Sequence, residues 1–275
     1  MDPITALVIP AIVGIGIGIL SGLLGIGGGT VMVPVFRLLF DMSAIMSTAT
    51  SLFAIIPTSI SGAVSHVRHK TCIPSLGLAA GIGGAVTSPL GVWLATLSPA
   101  WLIMVVAALI IGWSAVKMLA KAIKLPKASL PSEGADGAVP AATASALPKL
   151  TRKQLLIGAA IGLGAGVASG YVGVGGGFIM VPLMLSFVGI PMRLASGTSL
   201  IAVMILAVPG VVEQALLGNI NYFAGLAISI GSIPGAAIGA HLVRHVPERM
   251  LRFIFGGFLI VAAALLVLNE FGILG

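Results

Sequence analysis

The chain is 275 residues long, 58% hydrophobic and only 8% charged, with a mean hydropathy of +1.19 and a formal charge of +7. Soluble domains carry about 25% charged residues, so a water-soluble fold is excluded. The positive charge lies on no polar domain with a basic stripe, which argues against nucleic acid and for a membrane as the partner.

In chain order the apolar runs are Ile4–Leu24, Ile45–Val64, Ile73–Leu97, Trp101–Leu119, Leu155–Val172, Ala195–Leu217, Tyr222–Leu242 and Leu251–Leu268. Each approaches or reaches the roughly 20 residues that a helix needs to cross hydrocarbon. None shows the alternation of a membrane β-barrel, so helices must satisfy the backbone. The expected fold class is all-α, a polytopic membrane protein of about 8 to 10 membrane helices. No Lys or Arg precedes the first run, which therefore reads as mature structure and not as a signal peptide. The single cysteine, Cys72, has no partner for an internal disulfide, and no cofactor or metal set is expected.

The segment Ser21-Gly-Leu-Leu-Gly-Ile-Gly-Gly-Gly-Thr-Val-Met-Val-Pro34 returns as Ser169-Gly-Tyr-Val-Gly-Val-Gly-Gly-Gly-Phe-Ile-Met-Val-Pro182. The same offset pairs Thr50-Ser-Leu52 with Thr198-Ser-Leu200, and Gly62, Gly77, Gly83 and Gly91 with Gly210, Gly225, Gly231 and Gly239. The chain is thus an internal duplication. A first transmembrane repeat is expected over 1–124 and a second over 152–275. Between them 125–151, rich in Lys, Pro, Ser and Ala, reads as a disordered cytoplasmic linker.

Lys and Arg stay on the cytoplasmic side. The linker and its flanks hold seven of the 14, from Lys117 to Lys153, and the His66–Lys70 loop falls on the same side. Placing Arg193 and Arg244–Arg252 there too requires Leu155–Ile190 to begin and end on one face, either as two short crossing helices or as a hairpin that dips in and returns. Each half then makes five or three crossings. Inverted repeats are then expected, with both chain ends outside and only Arg37 misplaced; the alternative, parallel repeats with Leu155–Ile190 crossing once, leaves Arg244, Arg249 and Arg252 outside.

Inverted repeats built around broken helices are the architecture of secondary transporters, with substrate at the break. The breaks here are Gly25-Ile-Gly-Gly-Gly29 and Gly173-Val-Gly-Gly-Gly177, each followed by a short helix expected to start near Thr30 or Phe178. Glycine lets the chain leave helical geometry, and the free N–H groups of the following helix favour an anion. The candidate substrate-binding residues are Gly27, Gly28, Gly29, Thr30, Thr50 and Ser51 in the first half and Gly175, Gly176, Gly177, Phe178, Thr198 and Ser199 in the second. The glycines and hydroxyls also have a purely structural reading, as close-packing and self-bonding groups in membrane helices.

Asp41, Glu213, Glu248 and Glu270 fall near helix ends and no carboxylate falls mid-span, which points to an anionic cargo. His241, near the end of its helix, is the nearest candidate for proton handling, while His66 and His69 read as members of a basic loop. No catalytic constellation is present in the spans, so the chain is not expected to be an enzyme.

The duplicated Gly-x-Gly-Gly-Gly followed by Val-Pro (Gly25–Pro34, Gly173–Pro182), with Thr-Ser-Leu in both halves, resembles the sulfite exporter TauE/SafE family of membrane transporters over nearly the whole chain except the linker. The resemblance implies a secondary carrier of the bacterial or archaeal inner membrane for sulfite, sulfoacetate or other organosulfonates. The partners are then a small anionic substrate and membrane lipid, with monomer and homodimer both open. An anion channel and a permease for another small carboxylate are the alternatives. The halves differ at Thr30 against Phe178 and at Pro57 against Ile205.

Overall fold

The computed structural model describes residues 3–124 and 150–270, so most of the expected linker lies outside the described residues. Helices α1 (Pro3–Leu24), α2 (Gly29–Phe40), α3 (Ala44–Arg68), α4 (Pro74–Thr96) and α5 (Ala100–Ile123) precede that segment. Helices α6 (Arg152–Val172), α7 (Gly177–Leu183), α8 (Met192–Leu216), α9 (Tyr222–Leu242) and α10 (Glu248–Glu270) follow it. Eight of these are long and apolar enough to span a membrane. The protein is a multi-pass, all-helical membrane protein.

Local chemistry sets the helix starts. The Ser43 side chain accepts from Met46 N at the head of α3, Asn221 accepts from Ala224 N at the head of α9, and Thr151 forms a capping box with Gln154 before α6. The short helices α2 and α7 begin after left-handed Gly28 and Gly176. At 12 residues, α2 is about 18 Å long and cannot cross hydrocarbon about 30 Å thick. The same holds for α7, which a π-helical turn (Met184–Val188) extends through Val188.

Glycine registers give the relative directions of the long helices. Gly14, Gly18 and Gly22 of α1 meet Ile228, Ser232 and Ala236 of α9 in ascending order, so these two helices run parallel. Gly158, Gly162 and Gly170 of α6 meet Leu76, Ala80 and Ser88 of α4, also parallel. Hydrogen bonds Ser61 Oγ to Ile233 O and Ser65 Oγ to Ala237 O run α3 alongside α9 in the same sense. Gly77 and Gly81 against Ile201 and Ile205 do so for α4 and α8. Between α3 and α8 the order reverses, with Gly62 beside Leu200 and Leu52 beside Gly210. Two triads result, α1, α3 and α9 pointing one way and α4, α6 and α8 the other.

Polar contacts gather many basic segments at one end of the bundle. Lys121 Nζ donates to Ser186 Oγ at 2.6 Å, Arg193 to Val246 O at 3.1 Å, and Arg244 approaches His241, which in turn lies 3.3 Å from His69. Arg37, on α2 one turn before the start of the α3 loop, lies at the opposite end. His66 does not sit in an exposed loop. Its ring is fully buried, bonded to Thr71 Oγ1 at 2.7 Å and Gly22 O at 2.8 Å. In the other half the matched pair is Gln214 and Asn219, also hydrogen-bonded. A group that cannot titrate fills the same place, so the His66 contact ties helix ends together.

Candidate functional site

Six glycines carry positive φ in matched pairs: Gly25 and Gly173 (77° and 74°), Gly27 and Gly175 (79° and 85°), Gly28 and Gly176 (90° and 69°). Side chains rarely adopt this geometry. The fourth pair answers to contact instead. A Cβ on Gly29 would lie 2.6 Å from the backbone of Val174, and one on Gly177 would lie 2.4 Å from Gly25 O. The two breaks therefore touch each other. They do so between Ile55 and Val203, each one residue before the midpoint of a 25-residue helix, both of which face Gly27 and Gly175.

α2 starts at this crossing. Val31 N and Met32 N both donate to Gly28 O, which leaves the Gly29 and Thr30 N–H groups open at the positive end of the helix. Around the same break stand three buried hydroxyls with no partner, those of Ser21, Thr30 and Ser59. Ser59 Oγ lies 3.4 Å, and Ser21 Cβ 3.6 Å, from where Cβ atoms on Gly27 and Gly28 would stand. In the second half the matched positions hold Ser169, Phe178 and Ala207. Ser169 is also buried and unpartnered, but Phe178 packs into the main apolar core. The polarity of the crossing is concentrated on the first break.

The sequence-selected hydroxyls divide into three kinds. Thr50 Oγ1 accepts from Asn221 N at 3.0 Å, and Thr198 Oγ1 accepts from Ile73 N at 2.9 Å while donating to Leu194 O. Each thus fastens the N-terminus of a helix in the opposite half. Ser199 Oγ lies 2.6 Å from Gly25 O and 2.8 Å from Ser196 O, and so braces the first break. Ser51 is buried without a partner. Sequence reasoning did not select Ser21 or Ser59, whose hydroxyls stand unpartnered beside the first break; Ser21 recurs as Ser169, whereas Ser59 has no repeat signal at all.

Among the described residues no three His, Cys, Asp or Glu side chains gather to hold a metal. Asp41 caps the end of α2, Glu213 lies in the last turn of α8, and Glu248 pairs with Arg252 at the head of α10. Cys72, between α3 and α4, is buried, and burial pushes its thiol up to about 11.

The family profile described as "Sulfite exporter TauE/SafE" matches residues 10–266. "Probable membrane transporter protein YdhB" of Bacillus subtilis is 30% identical over 86% of this chain and 90% of its own length. "Probable membrane transporter protein YunE" of the same organism is 27% identical over 94% and 97%. A plant protein, "Sulfite exporter TauE/SafE family protein 3" of Arabidopsis thaliana, is 36% identical over 34% of this chain and 19% of its own length. No solved structure matches significantly. The duplicated glycine breaks, the eight spans and the profile match along the chain converge on one assignment: the chain belongs to the sulfite exporter TauE/SafE family of membrane transporters.

Proposed function

We propose that this transporter is a secondary carrier for small oxyanions of the sulfite and organosulfonate class, which it binds where the two breaks cross. The observation that carries the reading is the set of unpartnered hydroxyls at Ser21, Thr30 and Ser59 beside the open N–H groups of Gly29 and Thr30. A buried hydroxyl without a partner costs about 1–3 kcal/mol. An oxyanion accepting from all of them recovers that cost, and the start of α2 favours its charge. A cation finds only neutral carbonyl and hydroxyl oxygens there, since among the described residues Asp41, Glu213 and Glu248 stand at helix ends.

The mechanism is alternating access. The triads α1, α3, α9 and α4, α6, α8 point in opposite senses, and the matched helices of the two halves fall in opposite triads, the pattern of inverted repeats rocking about a central site. Gly27–Gly29 and Gly175–Gly177 supply backbone to the shell and Phe178 its apolar wall. Ser51 and Ser199 flank the breaks, while Thr50 and Thr198 hold the surrounding helix ends. The basic end faces the cytoplasm of a bacterial or archaeal inner membrane, by the positive-inside bias, which puts the 125–151 linker inside and both ends of the described chain outside.

The test is thermal stabilisation of the purified protein by sulfite, thiosulfate, sulfoacetate, isethionate, taurine, acetate and monovalent cations, followed by flux in liposomes. A ligand of the folded state raises stability by mass action. Selective stabilisation by a sulfur oxyanion or sulfonate, with saturable flux of the same ion, is expected. Stabilisation by cations alone overturns the site, and flux that does not saturate makes the protein a channel.

A further inference from the structure

Consecutive helices α3 and α4 are joined by a short loop, yet each leans on α8 more than on the other. Their splay leaves a groove of about 410 Å³. Its floor is Ile201 and Met204 of α8, its walls include Val67 of α3 and Pro74 and Leu78 of α4, and Arg68 stands at its mouth. Val67 and Leu78 are half exposed, so the groove opens sideways toward the lipid.

The internal duplication supplies a control within the same molecule. At the repeat offset Ile201 corresponds to Phe53, Pro74 to Tyr222 and Arg68 to Leu216. Phe53 and Tyr222 meet edge to face with centroids 5.5 Å apart, so two rings bridge α3 and α9 where the first cleft has Ile201 and Pro74. The cation at the mouth is replaced by the exposed Leu216. One cleft is open and carries a charge; its counterpart is bridged and carries none.

We propose that the open groove binds one acyl chain of an anionic phospholipid, whose headgroup phosphate pairs with Arg68. The lining is apolar, as a lipid tail requires, and its volume is of the order of a single fatty-acyl chain. Among the described residues no acidic side chain pairs with Arg68. Its guanidinium presents a planar fork that matches phosphate oxygens. Arg68 also lies at the basic end of the bundle, next to Lys70, where anionic lipid is attracted by the surrounding charge. An arginine that only snorkelled to the interface would attract anionic headgroups without the groove, so its lipid preference would survive changes in the groove floor.

The experiment titrates the purified full-length protein in detergent with phosphatidylglycerol or phosphatidylcholine of identical chains. Native mass spectrometry counts the bound lipid and a thermal ramp reads stability. The wild type is expected to retain one phosphatidylglycerol in preference to phosphatidylcholine. Arg68→Leu, the residue of the other half, lowers that preference about fivefold, the worth of one basic residue beside an anionic headgroup, and leaves phosphatidylcholine binding unchanged. Ile201→Phe, again the residue of the other half, reduces retention of both lipids, and Met204→Phe narrows the same floor if Ile201→Phe is recovered unfolded. Equal binding of both lipids by the wild type overturns the proposal, as does wild-type lipid retention in Arg68→Leu or in the floor variant that folds. Stabilisation by inorganic phosphate alone also overturns it, since the site then needs no chain.

Discussion

The two glycine breaks share a backbone and differ in what surrounds it. Around the first, Thr30, Ser59 and Ser21 present buried hydroxyls with nothing to bond; around the second, Phe178 and Ala207 replace two of the three and only Ser169 remains. Matched φ values at three pairs of glycines show that duplication has preserved the shape of the loops. The side chains beside them have diverged. The repeat thus sets the shape of both breaks, while the first half alone supplies most of the unpartnered polarity, which under the proposed function is where an anion is held.

That comparison is best broken at the shared backbone. Gly28→Val or Gly176→Val forces a β-branched residue into positive φ and is expected to abolish liposome flux while the protein still inserts; wild-type flux in both variants would show that the breaks do not form the pathway. The next largest effect separates the halves. Thr30→Val and Ser59→Ala should each raise KM about tenfold, the worth of one hydrogen bond to a charged ligand, whereas Ala207→Ser should change it less than twofold. Equal sensitivity of the two sides removes the asymmetry.

A smaller effect concerns the matched pair Ser199 and Ser51. Ser199→Ala gives up the bond to Gly25 O and should cost about 1 kcal/mol, seen as a Tm lower by about 2–4 °C. Ser51→Ala removes a hydroxyl that has no partner and should leave Tm unchanged. The smallest expected signal is that of Cys72. With its thiol raised from 9.0 to about 11, it holds about a hundredfold less thiolate at neutral pH than an ordinary thiol. Maleimide should leave the folded wild type unlabelled at pH 7, with reaction rising only in alkali. Ser21→Cys and Ser169→Cys then report, against a silent background, which break opens to water.

Much of the fold was legible in the sequence because membrane crossing leaves a coarse signal. Tyr222–Leu242 is the ninth helix to the residue, and the other seven long runs agree with their helices to within a few residues at each end. The short helices begin at Gly29 and Gly177, one residue before Thr30 and Phe178, because a glycine that must approach the opposite break can still be helical. Recurrence does not distinguish a fastening from an unpartnered hydroxyl. Thr50 and Thr198 recur because a repeated fold repeats its fastenings, and each holds a helix N-terminus across the duplication. Ser59 gave no signal, since its partner position is alanine and its place beside Gly27 depends on how α3 passes the break. His66 looked like part of a charged loop because four of its neighbours are polar or basic, yet its carbonyl partner, Gly22 O, comes from 44 residues earlier in the chain.

The glycine registers bear on how the chain is assembled. α1 is made long before α9, yet Gly14, Gly18 and Gly22 lie against that helix, about 200 residues later. In the same way α4 awaits α6 from across the linker. Each half has lent its fourth helix to the first helix of the other, as in a swapped dimer fused into one polypeptide. Neither half expressed alone can cover its own small-residue ridges, so separately expressed halves should be recovered only together. During synthesis, the ridge on α1 must stay in lipid until α9 has been inserted.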